Sequence, residues 1–150
     1  IAVAMNKFKR FFLEKQVLGL IEFFDVDGVG KIPSKLDSGN GAFNVIHGED
    51  IQVQGNKVHF KTVNNQRLMK EKVDEIVINV GAGNTETRPV VNFDLKIGNK
   101  EFKDIPFSVG DRSTNLFKIL VSKDFIEQHL DALIDVSQED IADEEIEASY

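Results

Sequence analysis

The stretch KIPSKLDSG, residues 31–39, decides the fold, because a short strand-forming run ends here in the turn Asp37-Ser38-Gly39. Asp, Ser and Gly all favour turns, so the tripeptide is consistent with an ordinary loop. A carboxylate on a tight glycine turn, beside a hydroxyl, can also be held pointing into a cleft. Asp37 is therefore a candidate catalytic carboxylate, and the rest of the chain has to decide between the two interpretations.

One reaction that such a carboxylate can catalyse is the hydrolysis of a peptide bond. That reaction requires a second carboxyl group. One group accepts a proton from water while the other donates a proton to the substrate carbonyl. Two carboxylates held together cannot both ionise cheaply, so they share a proton and divide into a base and an acid. The chain has one Asp-Ser-Gly and no internal repeat. A catalytic Asp37 therefore predicts a symmetric homodimer.

Composition indicates a single domain. The chain has 150 residues and no cysteine, which excludes disulfide bonds and thiolate metal sites. No apolar run approaches the roughly 20 residues that span a bilayer. The first residues lack the long apolar core and cleavage site of a signal peptide, so we expect a cytoplasmic protein.

Charge divides the chain into three parts. The net charge is −7, and residues 131–150 hold eight acidic side chains and no Lys or Arg. We therefore separate an N-terminal arm (1–15), a domain (16–130) and an acidic tail (131–150) that composition predicts to be mobile. The arm mixes basic and aromatic residues, and we favour packing on the body over membrane binding. No basic stripe is present, so we expect no nucleic-acid partner.

Short strand-forming runs separated by turn residues predict an all-β domain. One helix is predicted after Ser122, whose side chain can cap its first turn, over residues 123–134. The predicted strands and hairpins are residues 17–24, 31–36, 51–54 with 57–63, 73–80 with 88–97, 100–109 and 116–121.

Four motifs occur together in one order: residues 34–40 (SKLDSGN), 50–51 (DI), 111–113 (DRS) and 119–126 (ILVSKDFI). With them the chain resembles a retropepsin-like aspartic peptidase, in particular the bacterial and phage group labelled ATP-dependent zinc proteases. The match covers residues 16–128. The resemblance implies a closed acid-protease barrel with one C-terminal helix, which acts as a homodimer on a peptide or protein substrate.

The resemblance also implies roles for individual residues. Asp37 is the counterpart of the catalytic carboxylate, and the Ser38 hydroxyl bonds across the dimer axis. Gly39 lets the backbone approach the shared water, which a Cβ would hinder. The hairpin turn Gly81-Ala82-Gly83 falls at the spacing of the flap that closes over substrate.

Two positions that support the site loop depart from the family pattern. Asn40 stands where the family has Ala, and Ser122 stands where it has Gly. These departures leave a second function open, in which the barrel is catalytically inactive and serves as a binding or assembly module.

The zinc and ATP in the group's label have no counterpart in the sequence. His47, His59 and His129 lack metal-ligand spacing, and no Walker motif occurs. The one conceivable metal cluster, His47 with Glu49 and Asp50, crowds its ligands into a single loop. We therefore predict no metal and no cofactor.

Overall fold

The computed structural model describes residues 16–143, so the N-terminal arm (1–15) and residues 144–150 lie outside the described residues. The described chain is mostly β-strand with one short helical segment, which confirms the all-β class. The strands are β1 Gln16–Val26, β2 Gly30–Leu36, β3 Asn44–His47, β4 Glu49–Gln54, β5 Lys57–Lys61, β6 Arg67–Gly81, β7 Asn84–Ile97, β8 Lys100–Gly110, β9 Ile119–Val121 and β10 Ala132–Glu139.

The strands pair in the order β10-β1-β2-β9-β3-β8-β7-β6-β5-β4. Strand β1 also pairs with β7, where Asp25 lies opposite Lys96 and Val26 lies opposite Leu95. The pairings from β1 through β2, β9, β3 and β8 to β7 therefore return to β1 and form a ring. Strands β6, β5 and β4 extend the sheet beyond β7.

Both predicted hairpins form. Strands β4 and β5 turn at Gly55, which has a φ of 62°. Strands β6 and β7 make a much longer hairpin than predicted, because β6 already begins at Arg67. Its turn lies at residues 81–83, as the sequence predicts.

Aromatic side chains form the centre of the core. The Phe93 ring packs edge-on against Phe60, at 6.3 Å between centroids, and against Phe107, at 5.6 Å. All three side chains are buried almost completely. These three side chains come from β5, β7 and β8. The aromatic core therefore packs the long β6–β7 hairpin against the closed ring of strands.

The predicted helix over residues 123–134 is too long. An α-helical turn at Lys123–Phe125 continues as a π-helical turn at Ile126–Leu130, and we call the two together α1. Asp131 then takes a left-handed conformation, with a φ of 45°, and ends the helix. Ala132–Glu139 forms β10 parallel to β1, so the prediction of a mobile tail is wrong for these residues.

The helical segments among residues 16–143 lack the length and apolar character needed to cross a membrane.

A buried carboxylate joins β1 to the end of the described chain. Glu22 is fully buried, and its side chain accepts N–H groups from Gly19 at 3.3 Å and from Ala142 at 3.0 Å. Burial raises the pKa of Glu22, the backbone hydrogen bonds oppose that shift, and the charge of Asp140 adds to it. Desolvation of the charged form is the larger effect.

The Glu22→Gln variant is expected to change the pH dependence of stability. A carboxyl with a raised pKa binds its proton more tightly in the folded state, so its stabilising contribution is complete below the ordinary value of 4.5. That contribution is lost as the pH rises through the folded pKa. As the pH rises, the free energy of unfolding should therefore fall less in Glu22→Gln than in wild type. The difference should be about 1.4 kcal/mol for each unit by which folding raises the pKa of Glu22.

Urea unfolding of both proteins between about pH 4 and pH 8 measures this difference. Glu127→Gln, at an exposed position on α1, is the matched control. Its free energy of unfolding should depend on pH as that of the wild type does. The prediction would be contradicted if the free energy of unfolding depended on pH equally in Glu22→Gln and Glu127→Gln.

Candidate active site

The turn that carries Asp37 begins where β2 and β9 end side by side, with Leu36 paired to Val121. The Asp37 N–H donates to the Val121 carbonyl at 2.9 Å, and the Asn40 N–H donates to the Asp37 carbonyl at 3.0 Å. The Gly39 N–H donates to the Asp37 carboxylate oxygen Oδ1 at 3.1 Å. The turn therefore orients its own carboxylate, which is half-buried at the surface.

The Asn40 side chain shapes the loop that follows. Its Oδ1 accepts the Ala42 N–H and its Nδ2 donates to the Phe43 carbonyl, both at 3.1 Å. Its backbone carbonyl accepts the Lys123 N–H at 2.8 Å, which attaches the loop to the start of α1. Asn40 is therefore a structural part of the loop that follows Asp37.

Ser122 supports the same loop from the other side. Its Oγ accepts the Phe125 N–H at 3.2 Å, which confirms the predicted helix cap. Its buried N–H donates to the Asn44 side-chain oxygen at 2.7 Å. Asn44 itself is 2% exposed on β3. Sequence reasoning missed Asn44, because a polar residue in a four-residue strand carries no motif.

The Asn44→Ala variant is expected to lower the free energy of unfolding by about 1–2 kcal/mol, because the buried Ser122 N–H loses its acceptor. Chemical denaturation measures this loss. Asn99→Ala, at an exposed turn position, is the control and should stay within about 0.5 kcal/mol of wild type. If both variants were equally stable, the hydrogen bond from the Ser122 N–H to the Asn44 side chain would not stabilise the fold measurably.

The motif Asp111-Arg112-Ser113 follows β8, and its arginine is within electrostatic reach of Asp37. The Arg112 side chain is partly buried, and its Nε donates to the Phe117 carbonyl at 2.8 Å. Burial lowers the pKa of Arg112, the charge of Arg88 lowers it further, and the charge of Asp37 raises it. Arg112 is thus within electrostatic reach of one carboxylate, that of Asp37, and of a second guanidinium group, that of Arg88.

Arg88, on β7, is held against the end of β8. A Cβ atom on Gly110 would lie 2.6 Å from Arg88 Nε and 2.7 Å from its Cζ, so the glycine makes room for this side chain. The Arg88 Nε is buried and has no hydrogen-bond partner among residues 16–143. Sequence reasoning missed Arg88, since its approach to Gly110 depends on the register between two strands.

His47 braces the loop that carries Arg112. The buried His47 ring accepts the Arg112 N–H at Nδ1, at 2.8 Å. Its proton therefore lies on Nε2, which donates to Glu49 Oε1 at 3.1 Å. The pKa of Glu49 is lowered, first by its hydrogen bond to Lys61 and then by the bond to His47. Both ring nitrogens are thus used in supporting the site.

Asp50 of the conceivable metal cluster pairs elsewhere, and the two other histidines belong to other elements. Asp50 pairs with Arg67 at 3.3 Å. His59 lies half-buried on β5, and His129 is exposed on α1. In the part of the chain that the structure describes, no group of three His, Asp or Glu side chains is arranged to hold a metal ion.

The predicted flap residues lie at the tip of the β6–β7 hairpin. Gly81, Ala82 and Gly83 all have positive φ, at 100°, 52° and 75°. A Cβ on either glycine would meet no other described atom within 4 Å, so the tip stands clear of the site loop. The base of the hairpin does reach the site, because Ile76 and Phe43 line the same cleft.

No protein-family model matches the sequence, and no curated protein matches it. Among solved structures, the chain is similar to a crystal structure of a protein of unknown function (DUF785) from Legionella pneumophila. The TM-score is 0.70 and the sequence identity 19%, over 85% of this chain and 98% of that chain. At this identity the similarity shows a shared fold and carries no information on activity.

Proposed function

We propose that the protein is a retropepsin-like aspartic endopeptidase, in which the Asp37 carboxylates of two identical subunits activate one water molecule. The observation that carries the proposal is the geometry of the Asp37 turn. The turn projects a half-buried carboxylate from the paired ends of β2 and β9 and fixes it with the Gly39 N–H at 3.1 Å. The Asn40 carbonyl also attaches this turn to the start of α1, where it accepts the Lys123 N–H at 2.8 Å.

The strand pairings support the fold that this function requires. The ring from β1 through β2, β9, β3, β8 and β7 back to β1 is consistent with a closed acid-protease barrel. The long β6–β7 hairpin leaves this ring and passes the site loop at its base. A hairpin in this arrangement supports the role of a flap that covers an extended substrate.

The chemistry follows from two carboxyl groups that share one proton. The ionised group takes a proton from water while the water oxygen bonds to the peptide carbonyl carbon. The protonated group donates its proton to the carbonyl oxygen, which gives a tetrahedral diol. Transfer of a proton to the amide nitrogen then breaks the C–N bond and releases a carboxylic acid and an amine.

The cleft between hairpin and site loop suits a substrate in extended conformation. Backbone hydrogen bonds to such a peptide supply affinity, and side-chain pockets supply selectivity. Arg112 carries positive charge within electrostatic reach of Asp37. Glycines on both sides of Ala82 give the hairpin tip a turn that can change conformation as it closes over the peptide.

The direct test is cleavage of a diverse peptide library across pH, with the oligomeric state determined on the same samples. The proposal predicts a dimer whose cleavage activity depends on Asp37. A well-folded dimer that binds peptides and cleaves none across the whole pH range would instead favour the inactive binding or assembly module.

A further inference from the structure

The loop of residues 111–118 joins β8 to β9 and carries the motif Asp111-Arg112-Ser113. The amine of Lys118 closes this loop. Its Nζ donates to the Arg112 carbonyl and to the Asn115 carbonyl, both at 2.7 Å. It also donates to the Ser113 carbonyl at 3.1 Å. An ammonium group has three N–H donors and no acceptor, so carbonyl groups of one loop use every donor that Lys118 has.

The carbonyl groups of Arg112, Ser113 and Asn115 form a carbonyl cradle around the Lys118 amine. Oxygen atoms that converge on one point repel one another, and the positive charge between them offsets that repulsion. Hydrogen bonds from a charged donor are also roughly twice as strong as neutral ones. A guanidinium group fits this arrangement poorly, because its donors lie in one plane and diverge. The cradle therefore suits a primary ammonium group.

Arg112 is the residue that this loop holds most completely. Its backbone N–H donates to His47 Nδ1 at 2.8 Å. Its carbonyl accepts the Asn115 N–H at 2.9 Å in addition to the Lys118 amine. Its side-chain Nε donates to the Phe117 carbonyl at 2.8 Å, which lies within the same loop. The direction of the Arg112 guanidinium group therefore depends on the loop shape that Lys118 closes.

The Arg112 side chain links this loop to the catalytic turn. Burial lowers the pKa of Arg112, and the charge of Asp37 acts against that shift. Because the interaction between the two charges is mutual, the guanidinium group favours the ionised form of Asp37. The ionised form is the one that takes a proton from water in the proposed reaction. A loop that moved Arg112 away would weaken this effect.

From these contacts we infer that Lys118 is a positioning residue, whose ammonium group fills the carbonyl cradle and thereby fixes the Arg112 guanidinium group within reach of Asp37. Lys118 has no donor left for a substrate, so its effect on the site has to pass through Arg112. The role in cleavage rests on the proposed function. The cradle and its control of Arg112 do not, and they can be measured in a protein that cleaves no peptide.

The test follows hydrogen exchange at the Arg112 Nε by NMR. Lys118→Met keeps a long side chain without a donor, and Lys118→Arg keeps the charge without the geometry. In both variants we expect exchange to become at least roughly tenfold faster than in wild type. Lys100→Met, at an exposed position at the start of β8, is the matched control and should leave the exchange rate unchanged. Exchange of the β1 amides in the same samples reports whether the fold is intact.

A small amine can replace the missing side chain. Lys118→Ala empties the cradle, and n-propylammonium supplies the three methylene-type carbons and the ammonium group that the substitution removes. Added at matched ionic strength, n-propylammonium should restore slow exchange at the Arg112 Nε. The neutral molecule of the same length, 1-propanol, should leave the exchange fast, because it has one donor and no charge.

Equal exchange rates in Lys118→Met and Lys100→Met would overturn the inference. Slow exchange in Lys118→Arg would also overturn it, since positive charge alone would then be sufficient. Failure of n-propylammonium to slow the exchange in folded Lys118→Ala would exclude the cradle as an ammonium site. These results are independent of whether the wild type cleaves peptides.

Cleavage activity tests the second half of the inference. In an active protein, kcat/KM of Lys118→Met should fall as far as that of Arg112→Met, and the double variant should be no less active than Arg112→Met alone. A further loss in the double variant would mean that Lys118 acts on the site by a route other than Arg112. A wild type that cleaves no peptide would exclude the peptidase and leave the cradle to be decided by the exchange rates.

Discussion

Substitution of Asp37 by Asn is expected to lower kcat/KM for peptide cleavage by at least about a hundredfold, because an amide can neither take a proton from water nor return one. The fold should be unaffected. Asn has the same shape, and its side-chain oxygen can still accept the Gly39 N–H that now bonds to the carboxylate. Initial rates on the best library peptide, with thermal unfolding of the same sample, measure both effects.

The matched control is Asp50→Asn. Asp50 is an exposed aspartate with a φ of 51°, a conformation that Asn also adopts, and its side chain pairs with the exposed Arg67. This variant removes one surface carboxylate and should keep wild-type activity within about twofold. Retained cleavage in pure Asp37→Asn protein would exclude Asp37 as the catalytic group.

Mixing the two proteins tests whether catalysis needs a carboxylate from each subunit. Equal amounts of wild type and Asp37→Asn, exchanged at constant total concentration, give about one quarter wild-type homodimers. Activity should therefore fall to about one quarter of that of the undiluted wild type. A fall to one half would mean that each chain acts independently, which a shared pair of Asp37 carboxylates does not allow.

Local patterns predicted most of the strands. Val58 and Phe60 alternate with polar residues, and this alternation placed β5 correctly within its hairpin. The predicted strand over residues 116–121 is too long, because β9 begins only at Ile119 and Leu116 is 86% exposed. The residues before β9 form a loop held by Lys118, whose amine donates to the Asn115 carbonyl at 2.7 Å. Such a bond depends on a loop shape that apolar content does not reveal.

Prediction of the candidate site from sequence is limited in the same way, because local patterns do not reveal contacts between distant residues. The Asp37 turn could be predicted because its residue types themselves favour a turn. The support around it comes from residues distant in sequence, among them Asn44 with Ser122 and Arg88 with Gly110. These contacts arise from strand register and from the order of strands in the sheet. Neither property is encoded in a short motif, so sequence reasoning found the turn with Asn40 and Ser122 but missed Asn44 and Arg88.

The strand β10 was missed for a related reason, and Gly19 explains how it fits against β1. The paired register of β1 and β10 shifts between Gly19 and Ile21, and the shift presses the β10 backbone onto Gly19. A Cβ on Gly19 would lie 2.7 Å from the carbonyl carbon of Gln138 and 2.9 Å from the amide nitrogen of Glu139. Both are backbone atoms, so no side-chain rotation can relieve the contact.

Gly19→Ala is therefore expected to lower the free energy of unfolding by about 3 kcal/mol, at the upper end of the usual cost of overpacking. Strand β10 would have to move away from β1, which would also pull the Ala142 N–H from the buried Glu22 carboxylate. The melting temperature should drop by roughly 6–12 °C. Hydrogen exchange should quicken first in β10, because its pairing to β1 is the contact that breaks.

Gly41→Ala provides the control, since a Cβ at Gly41 meets no atom within 4 Å and its φ is not positive. This variant should unfold within about 0.5 kcal/mol of wild type. A Gly19→Ala protein as stable as Gly41→Ala would mean that β10 can shift at little cost. Strand β10 would then be a loosely attached edge, and the buried carboxylate of Glu22 would have to be held without it.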